Sequence, residues 1–352
     1  MTGAAASRPL PAKPTRAIGR GGKRRRRILI ALIVTFVAAP VSGWTYDQYA
    51  TRRDARRFPP PGEFVAAGSR RLHYVCTGSG SPLVLFELSG FSNSMSFRDA
   101  RAALSRRTRV CAYDRTGIGW SDPGPSAIPV SLLAADLGAV LNALEPNRPA
   151  ILVASSIGGL TAEFFARRRP ERVAGLVFLD AGNSYAAIRI REHTRAALAA
   201  AGCGSARAAG AVGLLRLFDP WNLRHEQTEQ AARSAALMYG AKPWIMLCGV
   251  VRAGEATLRE FSEAPPLPRS LPVTALSADT REGFLPPAMA SWFDMGNSSA
   301  ALRATHQRLA QGSDYGVWKV VPGSDHLIAS SQPQAVVEAV TEMIVGGYDR
   351  SP

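Results

Sequence analysis

The chain has 352 residues, 46% hydrophobic and 20% charged, enough apolar length for one large domain or two ordinary ones, which excludes a mini-protein and a disordered chain. Its 32 Gly and 25 Pro follow no period, which excludes a collagen-like repeat. The formal charge of +15 points first to a polyanionic partner, yet nine positive charges lie in residues 1–27 without a single acid, leaving +6 for the rest.

In chain order, Lys23–Arg27 is wholly basic and runs straight into the apolar stretch from Ile28 to Tyr46, with no charge until Asp47. About 18 apolar residues suffice to span a bilayer, and a basic block before them stays cytoplasmic while the remainder crosses. Residues 1–27 are therefore expected as a cytoplasmic tail and 28–46 as a transmembrane signal anchor, with Trp44 and Tyr46 at the level of an interfacial belt. The alternative is a signal peptide cut near Val41–Gly43, giving a secreted protein. The Arg run abuts an apolar stretch rather than an aromatic-interleaved basic patch, so no nucleic-acid partner is expected. Residues 47–63, polar and carrying Pro59–Pro61, read as a linker.

Cys76, Cys111, Cys203 and Cys248 form an even set without C-x-x-C spacing, unlike a zinc ribbon or a redox dithiol. Export permits disulfides. Cys76 with Cys111 is favoured because both lie in strand-like segments of the first half, leaving Cys203 with Cys248; four free thiols are the alternative.

Beyond the linker, short apolar runs at 82–86, 109–113, 150–154, 173–179, 272–277 and 317–321 have the length of strands buried on both faces. Helical patterns occupy 132–144, 158–169, ended by Pro170, and 334–343. The alternation predicts an α/β fold with a mostly parallel central sheet flanked by helices, its core formed by 64–182 and 268–352. Residues 183–267, rich in Ala and Arg with no convincing strand, are expected to form a helical cap inserted over the sheet.

The run Ala150–Ala154 turns at once through Ser155, Ser156 and Ile157 into Gly158 and Gly159. A nucleophile on so sharp a strand-to-helix turn needs small residues two before and two after it. Ala154 and Gly158 meet that demand around Ser156, whereas centring on Ser155 would place bulky Val153 and Ile157 there. The N–H of Ile157, opening the helix, then faces a developing oxyanion.

With these residues the sequence resembles the α/β-hydrolase superfamily, whose Gly-X-Ser-X-Gly is written here with Ala154 first. The stretch Phe86–Phe91 resembles the strand and loop that supply the second oxyanion donor, with Ser89–Gly90 for the usual His-Gly, and Tyr113–Pro123 resembles the turn after the fourth strand. The resemblance covers about residues 64–352. It implies the N–H groups of Phe91 and Ile157 as the oxyanion hole.

Serine needs a base, and histidine suits that task near neutrality. Of the five histidines, His326 follows the run 317–321 in a loop before the last helix, matching the superfamily's late histidine. His73, His193, His225 and His306 are expected in surface or cap packing. The chain order Ser, acid, His confines the orienting carboxylate to 157–325. Asp279 ends the run 272–277 and is favoured; Asp180, ending 173–179, is the alternative, with Glu282 and Asp325 behind them. Asp114 and Arg115 read as parts of a Gly-bounded turn, and Glu87 as a backbone or Arg partner.

No H-E-x-x-H or paired Cys/His spacing is present, and Gly117-x-Gly119 is followed by Asp122 where a dinucleotide motif needs glycine, so no metal or cofactor is expected. Ser at the elbow disfavours dehalogenase and epoxide hydrolase chemistry, which needs Asp there. The resemblance implies a serine hydrolase cleaving carboxylic esters or related acyl bonds through an acyl-enzyme, its small-molecule substrate partly apolar. The alternatives are an amidase, aminopeptidase or carbon–carbon hydrolase with the same triad, or a non-catalytic binding protein.

Overall fold

The computed structural model describes residues 20–185, 196–221, 223, 228–280 and 299–348. The first element is one continuous helix, α1 (Arg20–Arg57), with Pro40 inside it. Its two halves differ in what they touch. Every side chain from Lys23 to Ser42 is exposed, and none of its most apolar 18-residue window is buried. From Gly43 onward a stripe at spacings of three and four, formed by Gly43, Asp47, Ala50, Asp54 and then Phe58 just beyond the helix, turns away from solvent, the pattern by which a helix keeps one face on a partner.

The expected linker at 47–63 is thereby corrected: it is helical as far as Arg57 and docked over most of its length. The physical reason is a buried ion cluster that polarity alone conceals. Arg216, 2% exposed, donates from Nε to Asp47 Oδ1 at 2.8 Å, from Nη1 to Asp54 Oδ2 at 2.6 Å and from Nη2 to Thr51 Oγ1 at 3.1 Å. Burial pushes the Asp47 carboxyl up, and Arg216 pulls it back.

Eight strands follow: β1 (Glu63–Ala67), β2 (Arg70–Thr77), β3 (Val84–Glu87), β4 (Val110–Tyr113), β5 (Ala150–Ser155), β6 (Val173–Leu179), β7 (Val273–Ala278) and β8 (Gly316–Val321). They form one sheet in the order β1-β2-β4-β3-β5-β6-β7-β8. β2 pairs antiparallel with β1 and β4, and every other pair is parallel. All six residues of β5 and of β7 are buried, as central parallel strands covered on both faces require.

Helices α2 (Arg98–Leu104), α3 (Val130–Leu144) and α4 (Gly158–Arg168) connect the early strands. Between β6 and β7 lie α5 (Ala196–Ala211), α6 (Leu214–Phe218), α7 (Glu229–Met238), α8 (Ala241–Arg252) and α9 (Gly254–Glu263), with no strand among the described residues of that segment. α10 (Ser299–Gln311) precedes β8, and α11 (Ile328–Ser331) and α12 (Pro333–Tyr348) close the chain.

Alternation of side chains along the strands divides the core in two. Leu85, Leu152, Phe178 and Ala275 face Leu137, Phe165 and Leu309 of α3, α4 and α10. Phe86, Val153, Val177 and Leu276 face Leu104, Ile328, Val336 and Val340 of α2, α11 and α12. Each such large side chain removed from water contributes roughly 1.5–3 kcal/mol. Cys76 and Cys111, direct partners across β2 and β4, are disulfide-bonded, and Cys203 of α5 is bonded to Cys248 of α8.

From β3 the chain steps to β4 on one side and then to β5 on the other. That reversal opens a crevice at the carboxyl ends of β3 and β5, where ligands bind in sheets of this kind.

Replacing Arg216 with Ala should leave Asp47 and Asp54 buried without a cation and destabilise the protein by about 3–5 kcal/mol. Arg216→Met combined with Asp47→Leu and Asp54→Leu should recover most of the loss, both read by denaturant unfolding of the detergent-solubilised full chain.

Candidate functional site

Ser156 stands at the carboxyl end of β5 with φ of 52°, in the left-handed region that a non-glycine residue occupies only under constraint. The turn is possible because its neighbours are small. A Cβ on Gly158 would lie 2.5 Å from the Glu87 carbonyl oxygen and 2.7 Å from that of Leu88, and one on Gly159 would strike the Gly182 carbonyl. Ala154, wholly buried, pairs with Glu87 on one side and Phe178 on the other. Ser155 points inward, its Oγ buried among apolar strands, so the hydroxyl presented to the crevice is that of Ser156.

His326 reaches the same point from the opposite side of the sheet. Its Nε2 lies 2.9 Å from Ser156 Oγ, its Nδ1 lies 2.6 Å from Asp180 Oδ2, and its side chain is buried. With Nδ1–H donating to the carboxylate, Nε2 is left as the acceptor for the serine O–H, the tautomer a general base requires. Asp180 is itself held in place: its N–H donates to the Leu276 carbonyl at 2.8 Å and its Oδ1 accepts the Ala278 N–H at 3.2 Å.

The favoured partner of His326, Asp279, is corrected to Asp180. Both aspartates end neighbouring strands, but Asp180, with φ of 42°, turns inward beneath the histidine, whereas the Asp279 side chain is 45% exposed. Asp279 Oδ2 accepts the Gly323 N–H at 3.0 Å, and its own N–H donates to Ser324 Oγ at 3.1 Å. It clasps the turn that carries His326 without touching the imidazole. Asp325 accepts the Leu327 N–H at 2.8 Å, a local turn bond. Glu282, His193 and His225 lie outside the described residues.

Two other histidines depart from the expected surface or cap packing. His306 is fully buried, its Nδ1 2.8 Å from Ser277 Oγ and its Nε2 2.7 Å from the Ala181 carbonyl. It bolts α10 to the strand ends beside Asp180. His73, also fully buried, meets Asp114 Oδ2 at 3.0 Å through Nδ1 and accepts the Gly62 N–H at Nε2. Asp114 additionally accepts the N–H groups of Ser94 and Trp120, so it organises its own turn and the loop after β3 at Ser94.

The loop after β3 faces the helix after Ser156, with Gly90 opposite the Ile157 side chain. Among the described residues neither the Phe91 nor the Ile157 N–H donates a hydrogen bond, so both remain available to an oxyanion. Arg115 fixes this loop from below: Nη2 donates to the Ser89 carbonyl at 2.6 Å while Nη1 lies 3.4 Å from Glu87 Oε1. Glu87 also accepts from the Tyr113 hydroxyl. Burial pushes the Glu87 carboxyl up to about 7, against the opposing pull of Arg115 and Tyr113. Above the loop, Phe91 packs with Trp221 and Trp244 at ring separations of 6.2 and 4.8 Å. Trp120 instead stacks near His73, away from this wall.

Residues 82–220 match the family model described as the alpha/beta hydrolase fold. The chain has the α/β-hydrolase fold. An esterase of this fold from Thermogutta terrifontis superposes with a TM-score of 0.55 at 21% identity, covering 81% of this chain and 98% of its own. The enol-lactonase of Burkholderia xenovorans LB400 gives 0.57 at 18% identity, covering 80% and 100%. In sequence, the 2-hydroxy-6-oxo-2,4-heptadienoate hydrolase of Pseudomonas putida is 36% identical over 123 residues, 34% of this chain and 44% of that protein. The chain spans less than half the length of the curated relatives it matches.

In this fold the buried Glu87 sets a pH dependence of stability. A folded value near 7, above the usual carboxylate range, means that the folded state keeps a proton the unfolded chain releases, so raising pH through that window weakens the fold. Melting temperatures at pH 5 and pH 8 should therefore fall further for the wild type than for Glu87→Gln. An unchanged difference between the two proteins across those pH values would refute the assignment.

Proposed function

We propose that the protein is a serine hydrolase of carboxylic esters or related acyl bonds, held at a membrane by α1. The observation that carries this reading is the unbroken chain Asp180–His326–Ser156, at 2.6 and 2.9 Å, on a backbone turn strained at the serine itself. In this mechanism Ser156 Oγ attacks the acyl carbonyl as its proton passes to His326 Nε2, and Asp180 stabilises the resulting imidazolium. The carbonyl electron pair moves onto an oxygen received by the N–H groups of Ile157 and Phe91. Collapse expels the alcohol, protonated by His326, and leaves an acyl-enzyme. Water, deprotonated by the same histidine, then releases the acid and restores Ser156. The aromatic wall of Phe91, Trp221 and Trp244 suits a partly apolar acyl or alcohol group.

Support for the location comes from three features together. The exposed half of α1 has the length and apolarity of a membrane span, the basic block Lys23–Arg27 precedes it, and two disulfides stabilise the domain beyond it. Basic residues hold their side cytoplasmic, and disulfides persist in oxidising compartments, so the reading places the domain outside the cytoplasm. A second reading, carbon–carbon cleavage of an oxo acid by the same triad, is favoured by the 36% identity to the heptadienoate hydrolase. Turnover on matched ester and diketone substrates separates the two.

A fluorophosphonate probe should label the full chain and the Ser155→Ala variant but not Ser156→Ala. Folded wild type that resists the probe would sink the proposal. Within the triad, Asp180→Asn should lower kcat by about 10⁴-fold, as expected when the histidine loses its orienting carboxylate. Asp279→Asn, whose side chain meets the turn at Gly323 and Arg303 but not the imidazole, should cost less than about tenfold; the opposite ranking in steady-state kinetics would return the role to Asp279.

A further inference from the structure

The cap carries an exposed apolar face that the site does not use. In α6, Leu215 and Arg216 are buried while Leu214, Leu217 and Phe218 are 41%, 69% and 74% exposed. Large apolar side chains grouped on one short helix need an occupant. Where that helix sits decides which. Just before it, Val212 and Gly213 touch α1: a Cβ on Gly43 would strike the Val212 carbonyl, and one on Gly213 would lie 3.0 Å from the Tyr46 ring and 3.3 Å from the Gly43 carbonyl. At the rise of an α-helix, residues 28–46 extend about 28 Å, close to the thickness of a bilayer's hydrocarbon core. The cap thus meets α1 within the last turn of its apolar run, at the level of Trp44 and Tyr46, both exposed.

Arg216 makes this placement rigid. Its bonds to Asp47, Thr51 and Asp54 turn the opposite side of α6, with Leu217 and Phe218, away from the protein at that level. On the far side of α6 the chain is equally fixed. Asp219, with φ of 46°, accepts from Tyr239 and from the Leu223 N–H, and Trp221 then stacks on Tyr239 and packs against Phe91 of the oxyanion loop. Two residues of chain separate Phe218 on the surface from Trp221 at the site.

We propose that α6 of the cap lies in the bilayer interface, with Leu214, Leu217 and Phe218 among the upper acyl chains, and that the site takes its ester from the membrane. The proposal rests on the reading of α1 as a membrane span. Amphipathic side chains at this depth bind through buried apolar area, and the aromatic wall of Phe91, Trp221 and Trp244 continues that surface inward.

The test uses the full chain in phosphatidylcholine vesicles whose acyl chains are brominated near the headgroup. A fluorophore is attached at Leu217→Cys, at Phe218→Cys, or at Asn147→Cys, an exposed position before β5 at the end of the sheet away from Ser156. Several-fold quenching at 217 and 218 with none at 147 is expected. Equal, weak quenching at all three while the protein stays in the vesicle pellet overturns the proposal and leaves the anchor standing. Protein in the supernatant overturns both. Fluorophore self-quenching at 218 without bromine quenching means that a second copy covers the face, which also overturns it. In parallel, the double variant Leu217→Asp/Phe218→Asp should lose tenfold or more of its turnover of a long-chain ester dissolved in the vesicles, while turnover of a short water-soluble ester stays within twofold. Equal loss on both esters counts against membrane delivery, and the quenching result stands whether or not the ester chemistry does.

Discussion

The backbone at Ser156 is the constraint on which the crevice depends. A residue held at positive φ between a strand and a helix survives only if three strands close around it. Gly158 lies against the carbonyls that end β3, Gly159 against the chain leaving β6, and Ala154 sits between its neighbours in both strands. A larger side chain at any of these points would push the helix outward and carry the serine with it. The same compression brings the end of β6 close enough for Asp180 to pass beneath His326. Serine position, carboxylate position and the approach of the loop after β3 are therefore one geometric fact.

Around this centre the buried charges divide into two kinds. Glu87 with Arg115 and His73 with Asp114 brace loops from beneath. Their desolvation is opposed by hydrogen bonds from Tyr113, Ser94 and Trp120 and by the one Arg115 donates to the Ser89 carbonyl. Such networks are satisfied only in one arrangement of the chain, and partial loss is more damaging than complete replacement by apolar groups. His326 differs in keeping one nitrogen turned toward an open serine hydroxyl. That asymmetry separates this pair from the bracing ones more clearly than burial does.

Strands β3 to β8 were legible as short apolar runs, whereas the partly exposed β1 and β2 are not such runs, and the turn at Ser156 was legible because its steric demand appears as Ala154 and Gly158. The cysteine partners followed from placement in the same half of the chain. Sequence alone ranks Asp279 above Asp180, wrongly, since both end apolar strands and the difference lies in backbone direction, which a linear sequence does not express. One signal was present: Asp180 is followed by Ala181 and Gly182, small residues that allow Gly159 to approach, whereas Asp279 is followed by a polar run. The docked half of α1 was hidden for another reason. Asp47 and Asp54 read as solvent-seeking until Arg216, more than 160 residues away, is placed between them.

That helix has a mechanical consequence. A span joined to its domain by slack chain lets the domain tumble, and the site then samples many heights and orientations. Here α1 runs unbroken from Arg20 to Arg57 and is bolted to the domain over its last four turns. Whatever holds the first half of the helix also sets the tilt of the sheet and the direction in which the crevice opens. Of the domain's rotational freedom, only spin about the axis of α1 is left independent of that hold.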